Sequence, residues 1–161
     1  LLTGKQRRDL YSKAEQILHL AMDDFMAQDY QPDPHELANF ARTGEMLLTE
    51  RPDLLPAGFL SRMHRFIQES VAPDPSMYGS GEYITTPTFY LNSPDSPYYP
   101  VIRDIADFFC DHLEASVGPE GYWPVSWTWG EEPLHPDSLR DWRGSLILEN
   151  MIYLQHFKPD L

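Results

Sequence analysis

Glu120-Gly121-Tyr122-Trp123-Pro124-Val125-Ser126-Trp127-Thr128-Trp129-Gly130, followed by Asp141-Trp142-Arg143-Gly144 and an apolar run, decides how this chain is read. All four tryptophans fall between positions 123 and 142. An indole is costly to expose and is placed where a large flat surface must be buried or stacked against. The segment is therefore either the seal of a helical core or the wall of a cavity.

On both sides of it the apolar residues recur at helical spacing. Leu10, Ala14, Ile17, Leu18, Ala21, Met22 and Phe25 form one stripe and predict a helix over 4–28 with that stripe inward. Its charges run against the helix dipole, with Lys5, Arg7, Arg8 and Lys13 at the start and Asp23, Asp24 and Asp29 at the end. Either another group offsets this or the sign pattern serves another contact. Asp33-Pro34 reads as an N-cap with proline at the first helical position. A second helix follows over 34–49, with Leu37, Phe40, Ala41, Met46 and Leu47 inward. A third, over 56–71, carries Phe59, Leu60, Met63, Phe66 and Ile67 and stops at Pro73-Asp74-Pro75.

Residues 73–97 hold five prolines and two glycines, yet also Tyr78, Tyr83, Ile84, Phe89, Tyr90 and Leu91. So many apolar and aromatic groups predict an ordered segment across helix ends, with a short extended piece at 83–91. Ser96-Pro97 reads as a second N-cap and opening proline, for a helix over 97–116 with Val101, Ile102, Ile105, Phe108, Phe109 and Leu113 inward. The last helix, 137–157, is apolar on more than one face and is expected to pack on several sides. The class is all-α, with about five helices and one long aromatic, proline-rich loop.

A length of 161 residues suits one domain, 1–161, with a real core. Lys plus Arg is 12 against 25 Asp plus Glu, a net charge of −13. That argues against nucleic acid, which needs a basic face, and against anionic membrane surfaces. Cys110 is the single cysteine, so no intrachain disulfide forms and a reducing, cytoplasmic compartment fits. No apolar run reaches the roughly 18–20 residues of a membrane span, and no signal peptide opens the chain. Leu1-Leu2-Thr3-Gly4 lacks an initiating methionine, which predicts a trimmed or partial polypeptide.

Glu120-Gly121-Tyr122-Trp123 resembles the acidic-Gly-x-Trp junction between hairpins of α/α toroids, the barrels of terpenoid cyclases, prenyltransferase β-subunits and some carbohydrate enzymes. The glutamine that terpenoid cyclases place four residues before the glycine is Val117 here. A longer order is similar to the C-terminal region of a group of bacterial proteins with a toroid-like helical fold. It runs Ser93-Pro94-Asp95-Ser96-Pro97-Tyr98-Tyr99, helix, Glu120 to Trp123, Trp127-x-Trp129, Trp142-Arg143-Gly144, helix, His156-Phe157, and covers residues 83–157. The resemblance implies architecture and brings no established activity. A closed toroid has about twelve helices and needs on the order of 200 residues or more. Five helices form a partial ring, so the implied partner is the N-terminal part of the same protein or a second copy, and the alternative is a small open helical domain.

Few constellations carry chemistry. Asp23-Asp24 and Asp29 have four intervening residues, one turn too many for the Asp-Asp-x-x-Asp array that holds magnesium in diphosphate enzymes. The Asp-x-Asp-Asp motif of the other cyclase class does not occur. Asp107, Cys110, Asp111 and His112 have one thiolate and no His pair at i, i+4, which reads as a small core cysteine rather than zinc. The six histidines are scattered, with His156 placed to cap a helix end. No metal and no cofactor is expected.

The remaining cluster is aromatic and acidic. Rings that stack sugar faces beside carboxylates that bond hydroxyls suit a carbohydrate or other small ligand. Trp127, Trp129, Asp141 and Arg143 are the candidate contacts, with Tyr83 and Asp95 as further lining. Three functional classes follow. The first is a toroid-like protein binding a small ligand or carbohydrate in a Trp/acid-lined cavity. The second is a non-enzymatic helical interaction module, whose acidic balance suits a basic partner. The third is an isoprenoid cyclase or transferase with its metal residues elsewhere. The residues define no reaction.

Overall fold

A computed structural model describes residues 3–74, 77–78, 84–125 and 136–160. The described residues are all-α and contain no strand. The helices are α1 (Gly4–Met26), α2 (Pro34–Glu50), α3 (Phe59–Ser70), α4 (Tyr99–Ser116) and α5 (Pro136–Phe157), with 3-10 turns at Pro52–Leu54 and Pro87–Phe89. Among the described residues no helix is long and apolar enough to cross a membrane. The chain divides into two compact units, Leu1–Met63 and His64–Leu161, and the division falls inside α3.

In the first unit, Asp33 caps α2 as its sequence predicts. Its Oδ1 accepts from His35 N at 2.8 Å and Glu36 N at 2.9 Å, and Glu36 accepts in return from Asp33 N at 3.2 Å. This reciprocal box satisfies donors that a helix start leaves unpaired. α2 buries Leu37, Ala38, Ala41 and Leu47. Met46, expected inward, is exposed, because the buried face follows 37, 41, 44 and 47 and position 46 falls off it. α3 begins at Phe59 rather than 56. Gly58 has φ +84°, outside the right-handed helical region, so no helix can run through it.

The core of this unit centres on Phe25, fully buried, with Phe40 at 4.5 Å and Phe59 at 5.3 Å between ring centroids. Burying one such ring stabilises by about 1.5–3 kcal/mol. Arg62 lies over the Phe25 ring at 5.7 Å and donates from Nη2 to the carbonyls of Ala27 and Tyr30. A cation thus sits at the acidic C-terminal end of α1 and offsets the carboxylates that run against the helix dipole there.

The inward stripe predicted for α1 is corrected. Only Met22 and Phe25 are buried, while Leu10 is 57% and Ile17 69% exposed. Every residue from Thr3 to Ala14 is exposed. The helix runs past what its unit covers, held at its start by a Thr3–Gln6 capping box.

In the second unit α4 starts at Tyr99, two residues later than Ser96-Pro97 predicts. Had Pro97 opened the helix, Pro100 would be the first residue required to donate into the ladder, and it has no N–H. Ser96-Pro97 instead forms a turn closed by Tyr99 N to Ser96 O at 3.1 Å. The extended piece expected at 83–91 is also corrected: Pro87 opens a 3-10 turn, after which Tyr90 and Leu91 are buried. Among the described residues of the loop two phenols anchor it, with Tyr90 Oη and Ser70 Oγ bonded at 2.7 Å and Tyr78 Oη donating to Ala72 O at 2.9 Å.

α5 is fixed to α4 by Tyr153, whose hydroxyl donates to Ala106 O at 3.3 Å and whose ring lies 5.7 Å from Phe109. His156 does not cap its own helix; its Nδ1 donates to Asn92 O at 2.7 Å, a carbonyl of the preceding loop. Lys158 pairs with Asp111 and Glu114 at 2.7 and 2.6 Å. The expectation that α5 packs on several sides is not met. Asn150 and Tyr153 are buried, while Leu148 and Met151 are 62% and 60% exposed.

Candidate functional site

The Glu120–Trp123 junction follows from two glycines. After α4 ends at Ser116, Gly118 N donates to Tyr122 O and Gly121 N to Gly118 O, both at 2.9 Å. Gly121 has φ +81°, open to glycine at little cost. A Cβ at Gly118 would stand 3.1 Å from the Tyr122 carbonyl, so a larger residue there would have to push that carbonyl back by a few tenths of an ångström. The turn sends Trp123 back onto α4. Its Nε1 donates to Leu113 O at 2.8 Å and it is 8% exposed. That carbonyl belongs to the last turn of α4, where it also accepts from Ser116 Oγ at 3.3 Å. Trp123 closes the end of α4.

The neighbouring Tyr122 meets α5. Arg143 lies over its ring at 4.5 Å, and the Tyr122 hydroxyl donates to Glu120. That bond raises the phenol above its ordinary value, since the carboxylate favours the protonated form. The Nε of Arg143 is buried without a hydrogen-bond partner. Asp141 is exposed and accepts from its neighbour Arg140 at 3.4 Å, while Arg140 also pairs with Asp137 at 3.6 Å. Asp95 sits in an exposed turn, its N–H donating to Ser93 Oγ at 3.2 Å.

Among the described residues no hydrogen bond or ion pair joins Asp95, Asp141 and Arg143 to one another. Trp127, Trp129 and Tyr83 lie outside the described residues. The residue that the candidate list lacks is Tyr122, the ring on which Arg143 rests. Its position directly before Trp123 in the glycine turn was the available signal.

The other constellations are structural in their surroundings. No cluster of three His, Cys, Asp or Glu that could hold a metal occurs among the described residues. Cys110 is buried, and burial pushes its thiol up to about 11. His112 stacks on Phe109 with centroids 5.9 Å apart, and burial lowers its basicity. A shallow cavity of about 230 Å³ in the first unit is lined by Leu48, Pro52, Leu55, Pro56, Phe59 and Leu60, and no titratable side chain lines it.

No family model, no curated protein and no solved structure matches the chain.

Proposed function

We propose that the chain is a non-enzymatic helical interaction module of α/α-toroid type, in which α5 receives a partner helix. One observation carries this reading. α5 is held to α4 by Tyr153 on one side and exposes Leu148, Met151 and Ile152 on another. Their i, i+3, i+4 spacing is the strip that an amphipathic helix covers. The net charge of −13 favours a partner with a basic polar face. In this reading the junction closes α4 through Trp123, meets α5 through Tyr122 and Arg143, and performs no chemistry.

The test is a titration of the full chain, observed by amide and methyl NMR, with a synthetic amphipathic helix bearing Leu on one face and Lys on the other. Saturable shifts centred on Leu148, Met151 and Ile152, lost in Leu148→Gln/Met151→Gln, are expected. No saturable shift there refutes the module.

A second reading, a small-ligand or carbohydrate contact, is supported by the unpaired Nε of Arg143 above Tyr122. It requires oligosaccharides to quench tryptophan emission saturably and Arg143→Met to abolish the effect.

A further inference from the structure

The exposed half of α1 has three properties that fit one occupant. The first is its seam. Leu10, Ala14, Ile17 and Ala21 are spaced four, three and four, a coiled-coil repeat in which alternate positions are large and small. Continued outward, the seam takes in Arg7 at one end and Asp24 at the other. Leu10, Ala14 and Ile17 are exposed and Ala21 is half-buried, and Met22 and Phe25, which α1 buries in its own unit, flank the seam on one side. The second is its charge, with Lys5, Arg7, Arg8 and Lys13 in the first half, Asp23 and Asp24 in the last turn, and no basic residue there. Arg7, Arg8, Asp23 and Asp24 make no ion pair among the described residues. The third is that Thr3 to Ala14 are helical or capping, yet all exposed. A stretch of that length is marginal as a helix in water without a packed face.

We propose that α1 pairs with α1 of a second copy of this chain, antiparallel, along Leu10, Ala14, Ile17 and Ala21. In an antiparallel pair each large position of one helix faces a small position of the other. Leu10 then lies opposite the partner's Ala21 and Ile17 opposite the partner's Ala14, so every layer holds one large and one small side chain. The same register sets Arg7 against the partner's Asp24. A parallel pair would stack alanine on alanine, Arg7 on Arg7 and Asp24 on Asp24, leaving voids and like charges in contact. The inverted charge order that opposes the helix dipole within one chain becomes complementary between two chains. A seam of about four layers is at the small end of stable interfaces, so the dimer dissociates on dilution and weakens with salt. The α1 seam belongs to the first unit and the α5 strip to the second, and neither depends on the other.

The test uses the full chain in sedimentation equilibrium over a concentration series. A monomer–dimer equilibrium is expected, weakened at least tenfold by Ile17→Lys with helicity by circular dichroism retained, since Ile17 is exposed. Arg7→Glu and Asp24→Lys are each expected to be monomeric alone and to dimerise when mixed, because only the mixed pair restores opposite signs at both ends. Leu10→Cys/Ala21→Cys cross-links into a covalent dimer on oxidation, whereas Leu10→Cys alone does not, its two copies lying about 16 Å apart along the helices. Cys110 is buried and does not compete. A chain that stays monomeric throughout, a dimer indifferent to Ile17→Lys, or self-cross-linking by the Leu10→Cys single variant overturns the proposal.

Discussion

Replacing Trp123 by phenylalanine tests whether the indole at the glycine turn holds the second unit together. Two losses follow. The Nε1–H that donates to Leu113 O at 2.8 Å disappears. That carbonyl keeps a bond from Ser116 Oγ at 3.3 Å, so its penalty stays at the low end, about 1 kcal/mol. The smaller ring also leaves part of a buried site empty, worth about 1–2 kcal/mol for a partial truncation. The sum is about 2–3 kcal/mol. Urea unfolding followed by far-UV circular dichroism measures it, provided the denaturant slope is unchanged. Trp142→Phe is the control, because Trp142 is exposed and surface changes usually stay within about 0.5 kcal/mol. A loss below about 1 kcal/mol for Trp123→Phe, or an equal loss for Trp142→Phe, refutes the assignment of Trp123 as the closure of α4.

Two glycines of the same region are expected to respond in opposite directions. Gly121→Ala forces a Cβ onto φ +81° and costs about 1–2 kcal/mol with no steric clash involved, while Gly144→Ala, in open space within α5, gains about 0.5–1 kcal/mol; thermal denaturation of both reads the contrast. Cys110, its thiol pushed up to about 11 by burial, is expected to resist iodoacetamide in native buffer and to react at once in denaturant. Burial likewise pushes Tyr78 up to about 12 from its ordinary 10. The folded phenol stays neutral where the unfolded one ionises, so stability is full below about pH 10 and falls as pH rises towards 12, and tyrosinate absorbance should appear together with loss of helicity. A phenolate that titrates at its ordinary value in the folded chain would contradict this.

The helices were legible because their signals are local. Asp33-Pro34 caps α2 as read, and the stripe of α3 marks its buried face. That of α4 does so except at Phe108, which was expected inward and is 40% exposed because it falls beside the buried line of 102, 106, 109 and 113. Boundaries failed where one residue overrode a pattern, as Gly58 does for α3 and Pro100 for α4. Two apolar faces were misread for a different reason. Periodicity reports that Leu10 and Ile17 share a face with Met22 and Phe25 within a broad stripe, but not how far along the helix its own core reaches. The same holds for Leu148 and Met151 on α5. Of the candidate site, Arg143 finds an aromatic partner in Tyr122, whereas Asp95 and Asp141 make only local bonds. Asp141 and Arg143 stand two positions apart on α5, so the helix turn sends their side chains to different faces.

The bond from Tyr153 to Ala106 spans 47 residues. At ribosomal speeds of about 5–20 residues per second, a nascent α4 would wait roughly 2–10 s after Ala106 is joined before its closing partner exists. During that interval Phe109, Cys110 and Leu113, all buried in the finished unit, have no α5 to lie against. Slowing synthesis after α4 should therefore lower the yield of folded protein, and a holdase that binds short apolar helices should raise it.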